Sequence, residues 1–404
     1  MQNPETTLPS ILTYQGIPVW RHAQIIQWVA QIASAILVVA LVMWFFGNMA
    51  FAIEDREIPF GFSFLGREYQ TPIGEHVLPY KSSDSFLYAL VVAATNTLVV
   101  AVIGVILATL LGIFIGVCRL STNWIVSKLA TVYIEFFRNV PLLIQLFFWF
   151  YIILALPRVR EGYVILDGLY VNNAGISFPG PSASGTMPAL VWLALVVAAV
   201  VVGVFLHHRL VRREEEIGRP SYPFVLGCVA TVGIAAIAWL VLSGIFGDAP
   251  FSISMPAPEG RFGRIDGGVT VRAGMLVLLV GLVIYTSSFI AEIVRAGIQS
   301  VGRGQTEAAR ALGLSPMNTL RQVTFPQALR VIIPPWISQC LNLTKNSSLG
   351  GVVGYTDLTN VAITMTQTAP AINIFLMLMA AYLAMSLTWS LIGNLYNRRI
   401  GFTG

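Results

Sequence analysis

The sequence predicts an all-α polytopic membrane protein with about eight transmembrane helices, and three observations carry that prediction. First, 24 basic and 19 acidic residues are spread over 404 positions, while 56% of the chain is hydrophobic. A soluble protein this poor in charge could not cover its surface. Second, the apolar residues come in continuous runs of about 20, the length that crosses a bilayer as a helix. Barrel strands would alternate instead. Third, the arginines cluster in short segments beside those runs, so the net charge of +5 is a topology signal and gives no reason to expect nucleic acid as a partner.

In chain order, some 24 mostly polar residues precede the first run and lack a small-residue cleavage pattern, so the start reads as an uncleaved anchor. Span 1 covers residues 25–46, followed by an acidic loop, 47–85. Span 2, residues 88–117, is long enough to need a tilt or to project from the bilayer. Residues 129–157 form span 3, which Pro141 kinks or starts, with Arg138 just before it. A loop rich in Gly, Pro and Ser (158–187) leads to spans 4 and 5 (189–205 and 224–246). A second loop (247–272) leads to span 6 (273–294). Residues 331–355 hold Lys345 among asparagines and serines and make a weak span by hydropathy; 372–395 is a clear one. Four regions follow: 1–85, an anchor span and outer loop; 86–157, the first part of a core; 158–271, a two-span insertion; and 272–404, the second part of the core.

Charge decides whether 331–355 crosses. With eight spans, one side holds Arg21, Arg119, Lys128, Arg138, Arg209, Arg212, Arg213, Arg219, Arg295, Arg303, Arg310, Arg321, Arg330, Arg398 and Arg399, which is 15 of the 24 basic residues. Excess Lys and Arg marks the cytoplasmic side, so both termini are expected there. Cys118, Cys228 and Cys340 fall in or at the edge of apolar runs and imply neither a disulfide framework nor a metal site.

The same count places residues 306–326, TEAARALGLSPMNTLRQVTFP, in the cytoplasm. Thr306 reads as the cap of a short helix, residues 307–312, which Gly313 ends in a left-handed conformation. Ser315 and Pro316 read as the cap and first residue of a second helix, which Pro326 interrupts. Two short helices joined at a bend make a firm knob against the membrane.

Glu307-Ala308-Ala309, then Gly313, then Val323-Thr324-Phe325-Pro326 resembles the EAA motif of bacterial ATP-binding-cassette importer permeases. SSFIAEIVRAGIQSV before it, PQALRVIIPPW after it and YIEFFRNVPLLIQLF upstream look like permeases of the polar amino-acid uptake family. Asn139-Val140 replaces that family's commoner Gly-Thr, and Gly302-Arg303 its Pro-Lys. The resemblance covers roughly 86–157 and 272–400, a five-span core. With the added first span and the two-span insertion, the arrangement is similar to the longer permeases of general L-amino-acid importers, whose substrates include glutamate, glutamine, aspartate and asparagine. It implies an inner-membrane subunit that pairs with a second permease subunit, identical or not, with two ATPase copies and with a periplasmic amino-acid-binding protein. It also implies that Glu307, Ala308, Ala309, Gly313 and Pro326 dock on the ATPase. Glu307 near a helix start also favours the helix dipole without any partner.

This chain is expected to be no enzyme and to hold no cofactor: its only lysines are Lys81, Lys128 and Lys345, and no Gly-Lys-Ser/Thr step exists to cradle phosphates. ATP and its magnesium would belong to the separate ATPase chain. His22, His76, His207 and His208 have no zinc-ligand spacing. Ionisable residues within spans are costly and default to function. Lys345, with Asn342, Asn346 and Ser347 around it, and Glu292 are therefore candidates for lining a substrate path. For Glu292 a surface pair with Arg295 three residues on is the structural reading, and Glu135 with Arg138 has the same spacing. A self-sufficient ion-coupled carrier using Lys345 and Glu292 is the competing function.

Overall fold

The computed structural model describes residues 13–14, 17–18, 22–165, 168–183, 185–217, 222–259 and 264–400. Arg21, Arg219 and residues 1–12 of the expected anchor segment lie outside the described residues. Two short strands, Thr13–Tyr14 (β1) and Ile17–Pro18 (β2), pair ahead of helix α1, Ala23–Asp55. No residue of α1 is buried, although Trp28, Leu37 and Trp44 are all apolar. A helix apolar on every side needs lipid or protein around it. It runs nine residues past the expected span end, because residues 47–55 contain no proline to stop it.

The packed core begins with α2, Phe86–Arg119, capped by the Ser85 hydroxyl, which accepts from Tyr88 N. Its 34 residues span about 51 Å and so project beyond a bilayer core of about 30 Å. Against it lies α7, Ala273–Gln299. Gly112 and Gly116 make that contact possible: a Cβ on Gly116 would sit 2.7 Å from Ala291 O, and one on Gly112 2.7 Å from Ile290 Cβ. Small residues let membrane helices approach closely where the hydrophobic effect cannot drive them together.

The expected third span is broken. Helix α3, Trp124–Asn139, meets α4, Leu142–Leu154, at 106°. Val140 and Pro141 are extended, because a residue before proline avoids helical geometry and proline has no N–H to continue the ladder. The pair still travels the length of the core. Ser127 Oγ donates to Arg119 O beside one end of α7, Tyr133 OH reaches Ile284 O, and Leu146 packs over Gly281.

The two expected loops hold strands. Tyr163–Ile165 (β3), Leu169–Asn172 (β4) and Gly175–Phe178 (β5) form a meander, and Gly180–Ala183 (β6) follows. Helices α5, Thr186–Ile217, and α6, Pro223–Phe246, then form a hairpin. Phe251–Ser254 (β7) returns to pair with β6, Ala257–Glu259 (β8) pairs with Arg264–Asp266 (β9), and Val269–Arg272 (β10) completes the sheet beside β5.

Past α7 come the short helices α8, Arg303–Ala311, and α9, Pro316–Thr319, then one π-type turn and α10, Phe325–Asn346. Seven residues of 3-10 helix, Ser347–Val353, extend α10; α11, Leu358–Met365, and α12, Ala371–Ile400, close the chain. By length and composition α1, α2, α5, α6, α7 and α12 can cross a membrane, with α3–α4 as a bent seventh. Lys345 and its asparagines keep α10 below that hydropathy. At about 33 Å it is nevertheless long enough to cross, and it packs in the core against α2, α7 and α12. The connections segregate: η-turn Ser63–Gly66, strands β3–β10 and α11 lie at one end of the core, and α8–α9 lie at the other.

Candidate functional site

Three polar regions stand out along this core. The first is the α8–α9 knob. Helix α8 begins earlier than the sequence suggests: Gly302 occupies the cap position, and Thr306 sits inside the helix with its hydroxyl donating to Arg303 O at 2.7 Å. The stretch from 303 has no residue to prevent helix, so the start moves back one turn. Gly313 does end it, at φ +78°, with Gly313 N on Arg310 O and Leu314 N on Ala309 O. That pair of bonds is a Schellman cap, and glycine adopts its left-handed residue without strain. Ser315 caps α9 and Pro316 takes its first position, as read from the sequence. Pro326 does not interrupt the following helix. The wider turn over Leu320–Thr324 absorbs its missing N–H, and the backbone runs helically into α10.

The knob's residues divide by face. Ala309 is buried at 3% exposure and anchors α8, while Glu307, Ala308, Gly313 and Pro326 are exposed. Beside them Leu312 and Met317 stand 83% and 69% exposed. The two alanines therefore serve two purposes: one packs inward and one leaves a shallow spot on an apolar, protruding tip.

The second region lies under the knob. Glu292 accepts from Arg119 of α2 and from Arg295 of its own helix, with Arg295 Nε at 3.1 and 3.2 Å from its two carboxylate oxygens. Arg295 also donates to Gln299. The i,i+3 pair expected for Glu292 is present, and Arg119, which sequence spacing does not pair with it, joins from another helix. Glu135 turns to Arg119 at 3.8 Å and not to Arg138, which instead lies over the Phe289 ring at 5.1 Å. The bend at residues 139–141 aims Arg138 at α7, away from Glu135.

The third region is the far end of α10. Thr344 and Ser347 are buried against α12, where Trp389 Nε1 donates to Thr344 Oγ1 at 3.0 Å. Asn342 and Lys345 are exposed on the opposite face, and Asn346 is half-buried between. Glu292 and Lys345 therefore sit at opposite ends of the core and do not meet. Past α10, Asn96 of α2 accepts from Val77 N and donates to Glu75 O and Thr356 O, and Thr97 accepts from Leu358 N. These bonds tie two loops to one helix. The sequence reading missed them because a lone Asn or Thr in an apolar run carries no signal of its partner. Among the described residues no group of three metal-ligating side chains occurs.

Residues 108–402 match the family described as binding-protein-dependent transport system inner membrane component. The chain is 40% identical over 96% of its length, and 97% of the relative's, to YhdX of Escherichia coli (strain K12), which carries an amino-acid ABC transporter permease name. It is 39% identical to the general L-amino acid transport system permease protein AapQ of Rhizobium johnstonii over 92% of this chain and 91% of that protein. Against the glutamate/glutamine/aspartate/asparagine transport system permease protein BztB of Rhodobacter capsulatus, identity is 37% over 92% of each.

Proposed function

Because the chain belongs to the family of binding-protein-dependent transport system inner membrane components, we propose that it is the permease of an importer for polar L-amino acids. Glutamate, glutamine, aspartate and asparagine are the candidate substrates, as in the name of the Rhodobacter relative. Its tip drives and is driven by a separate ATPase. The observation that carries this reading is the knob: a glycine-capped helical bend presenting Glu307, Ala308, Gly313 and apolar Leu312 outward. ATP binding closes the ATPase pair, moves two such tips together and shifts the permease between inward- and outward-facing states. A second permease subunit, identical or homologous, and a periplasmic amino-acid-binding protein complete the assembly. The chain itself supplies no ATP site, and ATP and magnesium are held by the partner.

The segregation of connections supports a sidedness in which the knob, the α5–α6 connection and both termini are cytoplasmic. The strands and α11 then face the periplasm of a bacterial inner membrane. The regions divide as 86–157 and 272–404 for the core, with 1–85 and 158–271 added to it. An ion-coupled carrier loses one of its two candidate groups, since two arginines already hold the Glu292 carboxylate.

The test uses the left-handed residue. Gly313→Val places a β-branched side chain at φ +78°, costing about 1–2 kcal/mol locally. Gly313→Asn tolerates that region. Both variants should insert at normal levels. Val should lose co-purifying ATPase and labelled amino-acid uptake, while Asn keeps most of both. Equal uptake by all three proteins would remove the knob from coupling.

A further inference from the structure

The α5–α6 hairpin takes no part in the core contacts used above, and its own surface is uneven. The helices cross most closely where a Cβ on Gly203 would lie 2.0 Å from Thr231 Oγ1 and 2.8 Å from Gly227 O. Along one side of that crossing runs an open groove of about 450 Å³ walled by Val200, Val204, Phe224 and Val232. Its walls are hydrocarbon and its floor is glycine backbone. At the end nearest the α5–α6 connection the lining changes to His207 and His208. His208 Nδ1 is 2.8 Å from Val204 O, and because a carbonyl only accepts, its proton sits there. His207 Nδ1 is buried and has no hydrogen-bond partner. One turn beyond His208, on the same face, stands the exposed guanidinium of Arg212. Glu214 lies two turns past His207, about 10 Å further along the axis.

We propose that this groove binds one anionic phospholipid, with an acyl chain along Val204 and Val232 and the phosphate at His207, His208 and Arg212. The order of chemistry along the groove matches that of a lipid: a mostly hydrocarbon trough, then two imidazoles, then a cation. Both helices are long and apolar enough to cross a bilayer, so the imidazoles fall near the depth of the headgroups. Basic residues at the mouth of an interhelical groove recognise acidic headgroups in this way. A bound lipid would fill this groove and hold the two helices at a fixed spacing.

The experiment places the purified full-length chain in nanodiscs containing phosphatidylglycerol and phosphatidylcholine at equal mole fraction, exchanges it into detergent and counts retained lipid by native mass spectrometry. One phosphatidylglycerol per chain should remain, at least tenfold in excess over phosphatidylcholine. Arg212→Gln should abolish that preference, and Val232→Trp, which fills the trough from an exposed position, should remove the lipid of either kind. The melting midpoint serves as a folding control for both. Equal retention of the two lipids, or undiminished phosphatidylglycerol on both variants, would overturn the proposal. So would crosslinking of the groove's own Cys228 to another chain of the assembled complex, which would identify a protein occupant.

Discussion

Asp357 is the N-cap of α11, its two oxygens accepting from Thr359 N at 3.1 Å and Asn360 N at 3.0 Å, and it has no exposed surface. It lies just beyond the helical run that α10 begins. Burial pushes its carboxyl up to about 6 from an ordinary 3.8, against the opposing pull of the two backbone donors. The sign is the reverse of a salt-bridged carboxylate. Between pH 4 and 6 the folded protein holds a proton that the unfolded chain has lost, so stability falls as pH rises through this window and is level above it. The ionised form costs on the order of 3 kcal/mol above pH 6. Asp357→Asn keeps an acceptor for the cap and removes the ionisation. The variant's thermal midpoint in detergent should therefore exceed the wild type's at pH 7 and approach it at pH 4. Parallel pH curves for the two proteins would exclude Asp357 as the source.

At the scale of elements, the break between α3 and α4 rests on Gln145. Its Nε2 donates to Phe137 O and Val140 O, both at 2.9 Å, and so satisfies the carbonyls that the bend leaves open inside the core. Gln145→Leu removes the donor and strands both acceptors, a loss of about 2–3 kcal/mol. Gln145→Glu should be worse, because it buries a charge as well. Chemical or thermal unfolding that ranked Leu equal to glutamine would refute this account. Pro141 announced a discontinuity here, but the 106° angle depends on how α3 seats on α2 and α7, which no local residue encodes. The knob was legible for the opposite reason: Gly313 and Ser315-Pro316 act on their own backbone, so their chemistry is local. The start of α8 and the continuation past Pro326 were not, since helix persists where nothing forbids it. The strands were hidden by distance. Gly175–Phe178 finds its partner in Val269–Arg272 only after the whole α5–α6 hairpin has passed, and each segment alone is only four residues long.

Across the whole molecule, the separate β6–β7 pair makes the hairpin separable. Ala183 faces Phe251 in the β6–β7 register. An Asn-Gly turn replacing residues 184–250 should close the two strands directly, since that dipeptide suits a two-residue hairpin. The shortened chain should reach the membrane and keep a melting midpoint near the parent's; aggregation of the shortened chain would show that the hairpin supports the core. The core itself has one face that the chain leaves uncovered. Asn342 and Lys345 are exposed on α10, while Cys340, Leu343 and Thr344 on the other face are buried. Neither a hydrogen bond nor an ion pair reaches the Lys345 ammonium among the described residues, and an ammonium left facing lipid in a span is costly. On the proposed function that face receives a second permease subunit or the translocated amino acid, and Lys345→Ala separates this from a structural role. In the assembled complex it should lower uptake at least about tenfold, roughly 1.4 kcal/mol in the transport barrier, with membrane level and melting midpoint unchanged. Lys345→Arg keeps the charge and should retain part of the activity. Glu292→Gln should behave differently, lowering the midpoint because it leaves Arg119 and Arg295 without their shared carboxylate. Unaltered uptake kinetics in Lys345→Ala would take the lysine off the path and leave only packing to explain its position.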